Sequence, residues 1–248
     1  MTFKDHFSGH APDYAAFRPT YPAELFAWAA GLPAERRLAW DCATGSGQAA
    51  VALAEHFPRV AATDASAAQI AHAVPHPRVE YGVAPAEASG LADGSVDLVT
   101  VAQALHWFDF DRFYAEVRRV LAPDGALAVW SYDLARFEPA VDRLVHRLAR
   151  DTVGPYWPAE RRWVDEEYRT LPFPFAEVPA PAFHLTERWD LARFAAYLRT
   201  WSAVVRFRAA TGRDPVAELE EDLAAAWGDP REVKTVRWPL HVRAARKS

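Results

Sequence analysis

The run LAWDCATGSGQAAVALAEHF, residues 38–57, sets a carboxylate, Asp41, just ahead of a turn carrying Gly45 and Gly47. An apolar helical pattern follows the turn. Glycines at such a place let the chain bend sharply and let a ligand approach the backbone with no Cβ in the way. Loops of this kind commonly seat a phosphate on the helix N-terminus. Asp41 argues against a phosphate here, because a carboxylate repels a pyrophosphate and attracts an ammonium or a sulfonium. An ordinary strand-to-helix turn is the plain alternative. A second acid, Asp64, ends the next apolar run, RVAATDAS (59–66), 17 residues beyond Gly47. It could bind both hydroxyls of a ribose, or simply cap the helix begun in DASAAQI, or do both.

These two acids do not choose the nucleoside. GSGQAA satisfies the G-x-G-x-x-A form of the dinucleotide fingerprint, so NAD and S-adenosylmethionine both fit. An NAD-dependent oxidoreductase finds no Tyr-x-x-x-Lys pair to support it. A protein that holds the nucleoside without turnover is a further alternative. Farther along, His106 and Trp107 follow another apolar run. His106 could be a general base, a donor that orients a carboxylate, or a packed residue. Trp107 offers an apolar wall and one N–H donor, and core packing explains it as well. Arg18 and Arg161 could each hold a carboxylate bidentately, or lie on the surface. Tyr21, Tyr156 and Trp157 are candidates for the walls of an acceptor pocket. His72 and His76 are four apart, but Pro75 and Pro77 disrupt the helix that would align them, which excludes a metal site there. Cys42 reads as a small packed thiol.

Elements of alternating type must position these residues. Leu38 to Trp40 read as a strand running into Asp41, and Gly47 to His56 as a helix stopped by Pro58. Strands are expected at 59–66, 78–87, 95–105 and 126–132, the one at 95–105 with a continuous apolar run suited to burial on both faces. Helices are expected at 22–30, over SAAQIAHAV, and at 110–123. This β-α-β-α rhythm implies a parallel sheet with right-handed crossovers and helices on both faces. Ligands in such sheets sit outside the carboxyl ends of the strands. After residue 133 the rhythm breaks into a helix over 138–151 and a stretch rich in Pro, aromatics and Arg, suited to a cap. A strand at 182–189, a long helix from Asp190 and a second from Asp214 follow. Val236, Trp238, Leu240 and Val242 recur at period two, a half-exposed strand in which Pro239 points to an edge position or a bulge.

Taken together the motifs resemble class I S-adenosylmethionine-dependent methyltransferases, in particular the small-molecule group of methyltransferase type 11 and trans-aconitate methyltransferase-like proteins. LAWDCATGSG is similar to that family's first motif, with Ala43 where Gly is usual, and AATDAS resembles the second. GVAPAEASGLADGSVDLVTVAQALHWF resembles the third and fourth, FSGHAPDYAAFRPTYP an N-terminal cap, and RWPLHVRAARK the closing strand. The resemblance implies an α/β, Rossmann-like, seven-stranded sheet of order 3-2-1-4-5-7-6, mainly parallel with the last strand antiparallel. It implies S-adenosylmethionine as cofactor, with S-adenosylhomocysteine as product. Asp41, Ala43, Gly45, Gly47, Asp64, Ala65, Ala86, Glu87, Gln103, Tyr14 and Arg18 would surround the cofactor. His106, Trp107, Tyr21, Tyr156, Trp157 and Arg161 would face the acceptor, with His106 the catalytic candidate. The reaction implied is methyl transfer to an oxygen of a small acidic molecule.

Composition bounds the rest. The 248 residues, half of them apolar and a quarter charged, suit one domain of four parts: a cap (1–30), a cofactor core (31–132), a cap insertion (133–181) and C-terminal strands and helices (182–248). A net charge of -5 counts against a nucleic-acid backbone as partner. No apolar run approaches the ~20 residues of a membrane span, and a single cysteine allows no intrachain disulfide. A cytoplasmic enzyme, monomeric or homodimeric, is the simplest expectation.

Overall fold

The computed structural model describes residues 19–247; Tyr14 and Arg18 lie outside the described residues. Five strands alternate with helices: β1 (Ala39–Cys42), β2 (Val60–Asp64), β3 (Val79–Val83), β4 (Val96–Ala102) and β5 (Leu121–Tyr132). All five run parallel, with β1 between β2 and β4. Chain direction across the sheet therefore reverses at β1/β4, the switch point at which a crevice opens. Three further strands complete the sheet: β6 (Glu177–Val178), β7 (Phe183–Trp189) and β8 (Lys234–Arg246). The order is β3-β2-β1-β4-β5-β8-β6, with β7 also paired to β8. β8 runs antiparallel to β5, β6 and β7. The expected order holds, with the sixth position shared by two strands, so eight strands stand where seven were expected.

Pro239 is not on an edge. β8 pairs β5 through Leu240 and β7 through Pro239, so the strand is flanked on both sides. Arg237 exchanges backbone hydrogen bonds with Arg136 on the β5 side. By alternation, the N–H that Pro239 lacks would point to the same side, between Arg136 and the end of β5 at Tyr132, where the chain has left the ladder. Proline is tolerated because no partner waits there.

Helices cover both faces. On one side lie α1 (Ala23–Ala30), α2 (Gln48–Leu53), α5 (Pro139–Arg147), α7 (Leu191–Arg199), α8 (Ser202–Thr211) and α9 (Glu220–Trp227). On the other lie α4 (Phe110–Val120) and the segment around α6 (Arg161–Asp165). The short α3 (Ala67–Ala71) follows β2. Alternation along β5 sends Ala126, Ala128 and Trp130 to the first core and Leu127 and Val129 to the second. Trp40, Trp130, Trp189, Trp227 and Trp238 are among the largest fully buried side chains, so half of the ten tryptophans serve packing. The expected long helix from Asp190 is two helices. Thr200 turns its hydroxyl onto the Tyr197 carbonyl, and Trp201 is extended, its ring buried against Trp157 and Tyr197. The second expected helix begins at Glu220, after a 3-10 turn at Ala217–Leu219, and not at Asp214.

Candidate active site

Asp41 is the third residue of β1, 1% exposed, and directly opposite Thr100 of β4. Thr100 donates its hydroxyl to one carboxylate oxygen (2.8 Å) and Thr44 to the other (2.6 Å). Burial nevertheless raises the Asp41 pKa to about 6, and the charge of Asp64 adds to the rise against the two hydroxyls. Asp64 closes β2. Its oxygens accept from the backbone N–H of Gly45 (2.9 Å) and of Ser66 (2.8 Å), so this acid ties the glycine loop to the β2 tip. Ser66, not Asp64, caps α3, its hydroxyl accepting from Gln69 N–H.

The loop is left-handed at three places. Gly45 has φ +57°, Gly47 φ +88°, and Ala43, where the resembled family has glycine, φ +56°. A Cβ on Gly47 would fall 2.2 Å from the Tyr81 hydroxyl, which donates to the Val74 carbonyl, so glycine is required there twice over. Ala43 tolerates a conformation that glycine adopts more readily. Burial, and then Asp41, Glu87, Asp64 and Glu116, raise the Cys42 thiol well above its ordinary range. Cys42 is thus an inert thiol inside an acidic neighbourhood.

Ala65 follows Asp64 at the β2 tip, half-buried, and Ala86 is buried after β3. Glu87 accepts from Asp109 N–H (3.1 Å), and Asp109 caps α4, so Glu87 braces the entry to that helix. Gln103, also left-handed (φ +57°), turns its amide onto the backbone of Tyr132, donating to the carbonyl (2.8 Å) and accepting from the N–H (2.9 Å). It extends the β4–β5 pairing by one step with a side chain, while its backbone N–H donates to the Trp130 carbonyl (2.8 Å).

His106 sits in a 3-10 turn, Leu105–Trp107, just past β4. Its ring is 4.8 Å from that of Trp107, and its Nδ1 lies 2.7 Å from the Tyr168 hydroxyl. Burial, with the Arg161 cation adding to it, lowers the His106 pKa to about 3, so the ring is neutral at physiological pH. Arg161 and Trp157 do come together. The guanidinium lies 4.5 Å above the indole and pairs with Asp133 and with Asp165 (2.9 Å). A cavity of about 440 Å³ opens here, lined among others by Arg150, Arg161, Arg162, Asp133, Asp165 and Trp157. His106, Trp107, Tyr156 and Tyr21 are not among its lining residues. Tyr156 packs on Phe207, and Tyr21 packs edge-on against Phe26 and Trp130.

Sequence patterns missed Thr44 and Thr100, the donors to Asp41, and Tyr168. They also missed Ser131, buried on β5 with a hydroxyl that has no partner among the described residues. Ser131 shares the sheet face of Val129, which packs with Leu105 and Tyr168. Only Thr44 could have been found by spacing, three residues after Asp41. Among the described residues no cluster of His, Cys, Asp and Glu suits a metal, and no helix is long and apolar enough to cross a membrane.

Five parallel strands with the order reversing at β1/β4, and an antiparallel β8 beside β5, define a Rossmann-like α/β fold of the expected class. The family profile described as a methyltransferase domain matches residues 40–129. A Dictyostelium discoideum protein named as a methyltransferase is 35% identical over 253 aligned positions, covering 99% of this chain and 96% of that one. A solved structure titled as a type II methyltransferase from Anaeromyxobacter dehalogenans superposes with a TM-score of 0.88 at 50% identity, covering 93% of this chain and 98% of that one. A Haemonchus contortus N-methyltransferase, solved with S-adenosylhomocysteine, shares the fold alone, at TM-score 0.50 and 16% identity, covering 100% of this chain and 60% of that one. The chain belongs to the class I S-adenosylmethionine-dependent methyltransferases and is an enzyme of that family. The oxidoreductase alternative falls with that assignment.

Proposed function

We propose that this enzyme moves the methyl group of S-adenosylmethionine to a carboxylate oxygen of a small organic acid. The cofactor supplies an activated methyl on a sulfonium, whose departure needs no acid assistance. The fit to the crevice rests on charge and space. Asp41, Asp64 and Glu87 surround Cys42, and Gly45 and Gly47 carry no side chain over the loop. A cationic nucleoside suits that setting, and a pyrophosphate does not. In this reading Asp64 serves the ribose, Asp41 and the 43–47 loop serve the methionyl part, and Ala65, Ala86 and Glu87 border the adenine. Gln103 offers its backbone, and Tyr14 and Arg18 belong to the N-terminal cap. The chain acts as one catalytic unit in the cytoplasm, on a small molecule.

The observation that carries the choice of acceptor is the placement of His106, its Nδ1 2.7 Å from the Tyr168 hydroxyl and its ring buried, a burial that with the Arg161 cation lowers its pKa to about 3. A base that weak takes a proton poorly from a phenol, an alcohol or an ammonium at neutral pH. A carboxylate acceptor has no proton to lose and needs only alignment and a dry site. The cavity lining agrees, with three arginines against two aspartates. Arg161 is not a free anion clamp, since Asp133 and Asp165 already hold it. Arg150 and Arg162 supply the excess charge.

The test is incubation with methyl-labelled cofactor and a panel of small acids, phenols and amines. A carboxyl methyl ester releases its label as volatile methanol in mild alkali. Alkali-labile product from an acid supports the proposal; alkali-stable label on a phenol, amine or carbon overturns it.

A further inference from the structure

Tyr168 is fully buried and reaches His106 across 62 residues of sequence. Its backbone is left-handed, φ +59°, and so is that of Glu167, φ +57°. A bulky side chain rarely takes that conformation, and two non-glycine residues in succession persist only where the surroundings enforce them. Those surroundings are visible. Tyr168 N–H donates to the Trp163 carbonyl (2.8 Å). Arg243 of β8 donates to the carbonyls of Tyr168 (3.0 Å) and Leu171 (2.6 Å), stacks 4.5 Å over Phe173, and pairs with Glu177 (3.0 Å). The central antiparallel strand thus bolts the 168–177 segment to the sheet. A tyrosine that only filled space would need none of this.

The phenol carries one proton, and its direction decides what His106 can do. Among the described residues the phenol oxygen makes its hydrogen bond to Nδ1 of His106 (2.7 Å), and a buried O–H must be paired, so its hydrogen points at Nδ1. We propose that Tyr168 is a positioning residue: it donates its O–H to Nδ1 of His106, holds the ring proton on Nε2, and so makes His106 an N–H donor to the acceptor and not a base. The proposal rests on the reading of His106 as an acceptor-side residue. The nearby Arg161 cation opposes a second ring proton, so the ring stays neutral with its one hydrogen fixed. An Nε2–H of this kind recognises an oxygen that carries negative charge, which is the chemistry of a carboxylate.

The experiment is long-range proton–nitrogen correlation NMR on the full chain labelled with ¹⁵N-histidine, with His106→Gln to assign the ring. In the native protein His106 is expected to show an unprotonated Nδ1 and a protonated Nε2, with no titration between pH 5 and pH 8. Tyr168→Phe, checked for an unchanged circular dichroism spectrum, is expected to shift the ring to a mixture of tautomers. A proton on Nδ1 in the native protein would overturn the proposal, and so would a tautomer unaltered in folded Tyr168→Phe. If Tyr168→Phe does not fold, the native spectrum decides alone. Should the tautomer be as proposed while His106→Gln leaves methylation of the acceptor unchanged, the acceptor-side reading of His106 fails and the role of Tyr168 on the ring stands.

Discussion

The Asp41–Asp64 side of the crevice and the His106–Arg161 side are built differently. On the first, the two acids and the glycine turn lie within one β-α-β stretch, and most contacts stay inside it: Asp41 with Thr44, Gly45 with Asp64, Ser66 with Asp64, with Thr100 of β4 the one group brought in from afar. The second is assembled from distant chain: His106 with Tyr168, Arg161 with Asp133, Tyr168 with Arg243. The first side depends on backbone conformation and concentrated negative charge. The second depends on aromatic packing and paired charge. A family can keep the one while varying the other, since the cap segments can be replaced without disturbing the β1–β2 turn.

Mutations that divide binding from turnover would break or sharpen this contrast. The largest effect is expected from Asp64→Ala. Loss of a charged hydrogen-bonding partner should weaken S-adenosylmethionine binding by about 2–3 kcal/mol, roughly 30- to 150-fold, as read by calorimetry with melting followed in parallel. His106→Gln should leave that affinity within about twofold and lower kcat for the acceptor by about tenfold, near 1.4 kcal/mol. Equal loss of binding in both variants would erase the distinction between the two sides.

A smaller effect separates strain from function within the first side. Ala43 is held at φ +56°, a conformation that costs a residue with a Cβ about 1 kcal/mol. Ala43→Gly should therefore gain up to about 1 kcal/mol in the folded state, less the extra entropy of glycine in the unfolded chain. A rise in Tm with unchanged cofactor affinity is the expected outcome.

The two sides also differed in how far sequence could show them. The alternation of strands and helices, the β1 and β2 acids and the glycine turn were legible because each is local, and the sheet order followed from the family resemblance. Asp41 was read as a cofactor-side acid, and what the sequence did not show is that its oxygens accept from Thr44 and Thr100. Thr100 is 59 residues away, and only the parallel register of β1 with β4 brings it opposite. Tyr168 carries no signal, because a tyrosine in an irregular stretch gives no hint of a left-handed backbone. Pro239 misled for a related reason: its missing N–H falls in a gap of the ladder that no pattern within β8 records. Arg161 was legible as a residue of the pocket but not as one already engaged by two aspartates.

Asp41 gives the first side a pH signature. Its folded pKa, about 6, lies above the ordinary 3.8. The folded state therefore binds the extra proton between those values, and the stabilisation this brings is complete below about pH 4 and lost as pH rises through 6. At neutral pH the buried carboxylate costs about 3 kcal/mol relative to its unfolded environment. Asp41→Asn, which keeps an acceptor for one threonine and offers a donor to the other, should raise Tm at pH 7.5 and have little effect at pH 4. An unchanged Tm at pH 7.5 would mean that the charge is better solvated than its burial implies.

The most direct measurement is calorimetric titration of the enzyme with S-adenosylmethionine at pH 6, in buffers of different ionisation enthalpy. A cationic ligand seated beside Asp41 must lower the carboxyl pKa, so binding should release about half a proton per site at pH 6. The release should fade toward pH 7.5 and vanish in Asp41→Asn. Proton uptake on binding, or a release that Asp41→Asn does not abolish, would contradict the claim that this acidic wall holds the sulfonium nucleoside.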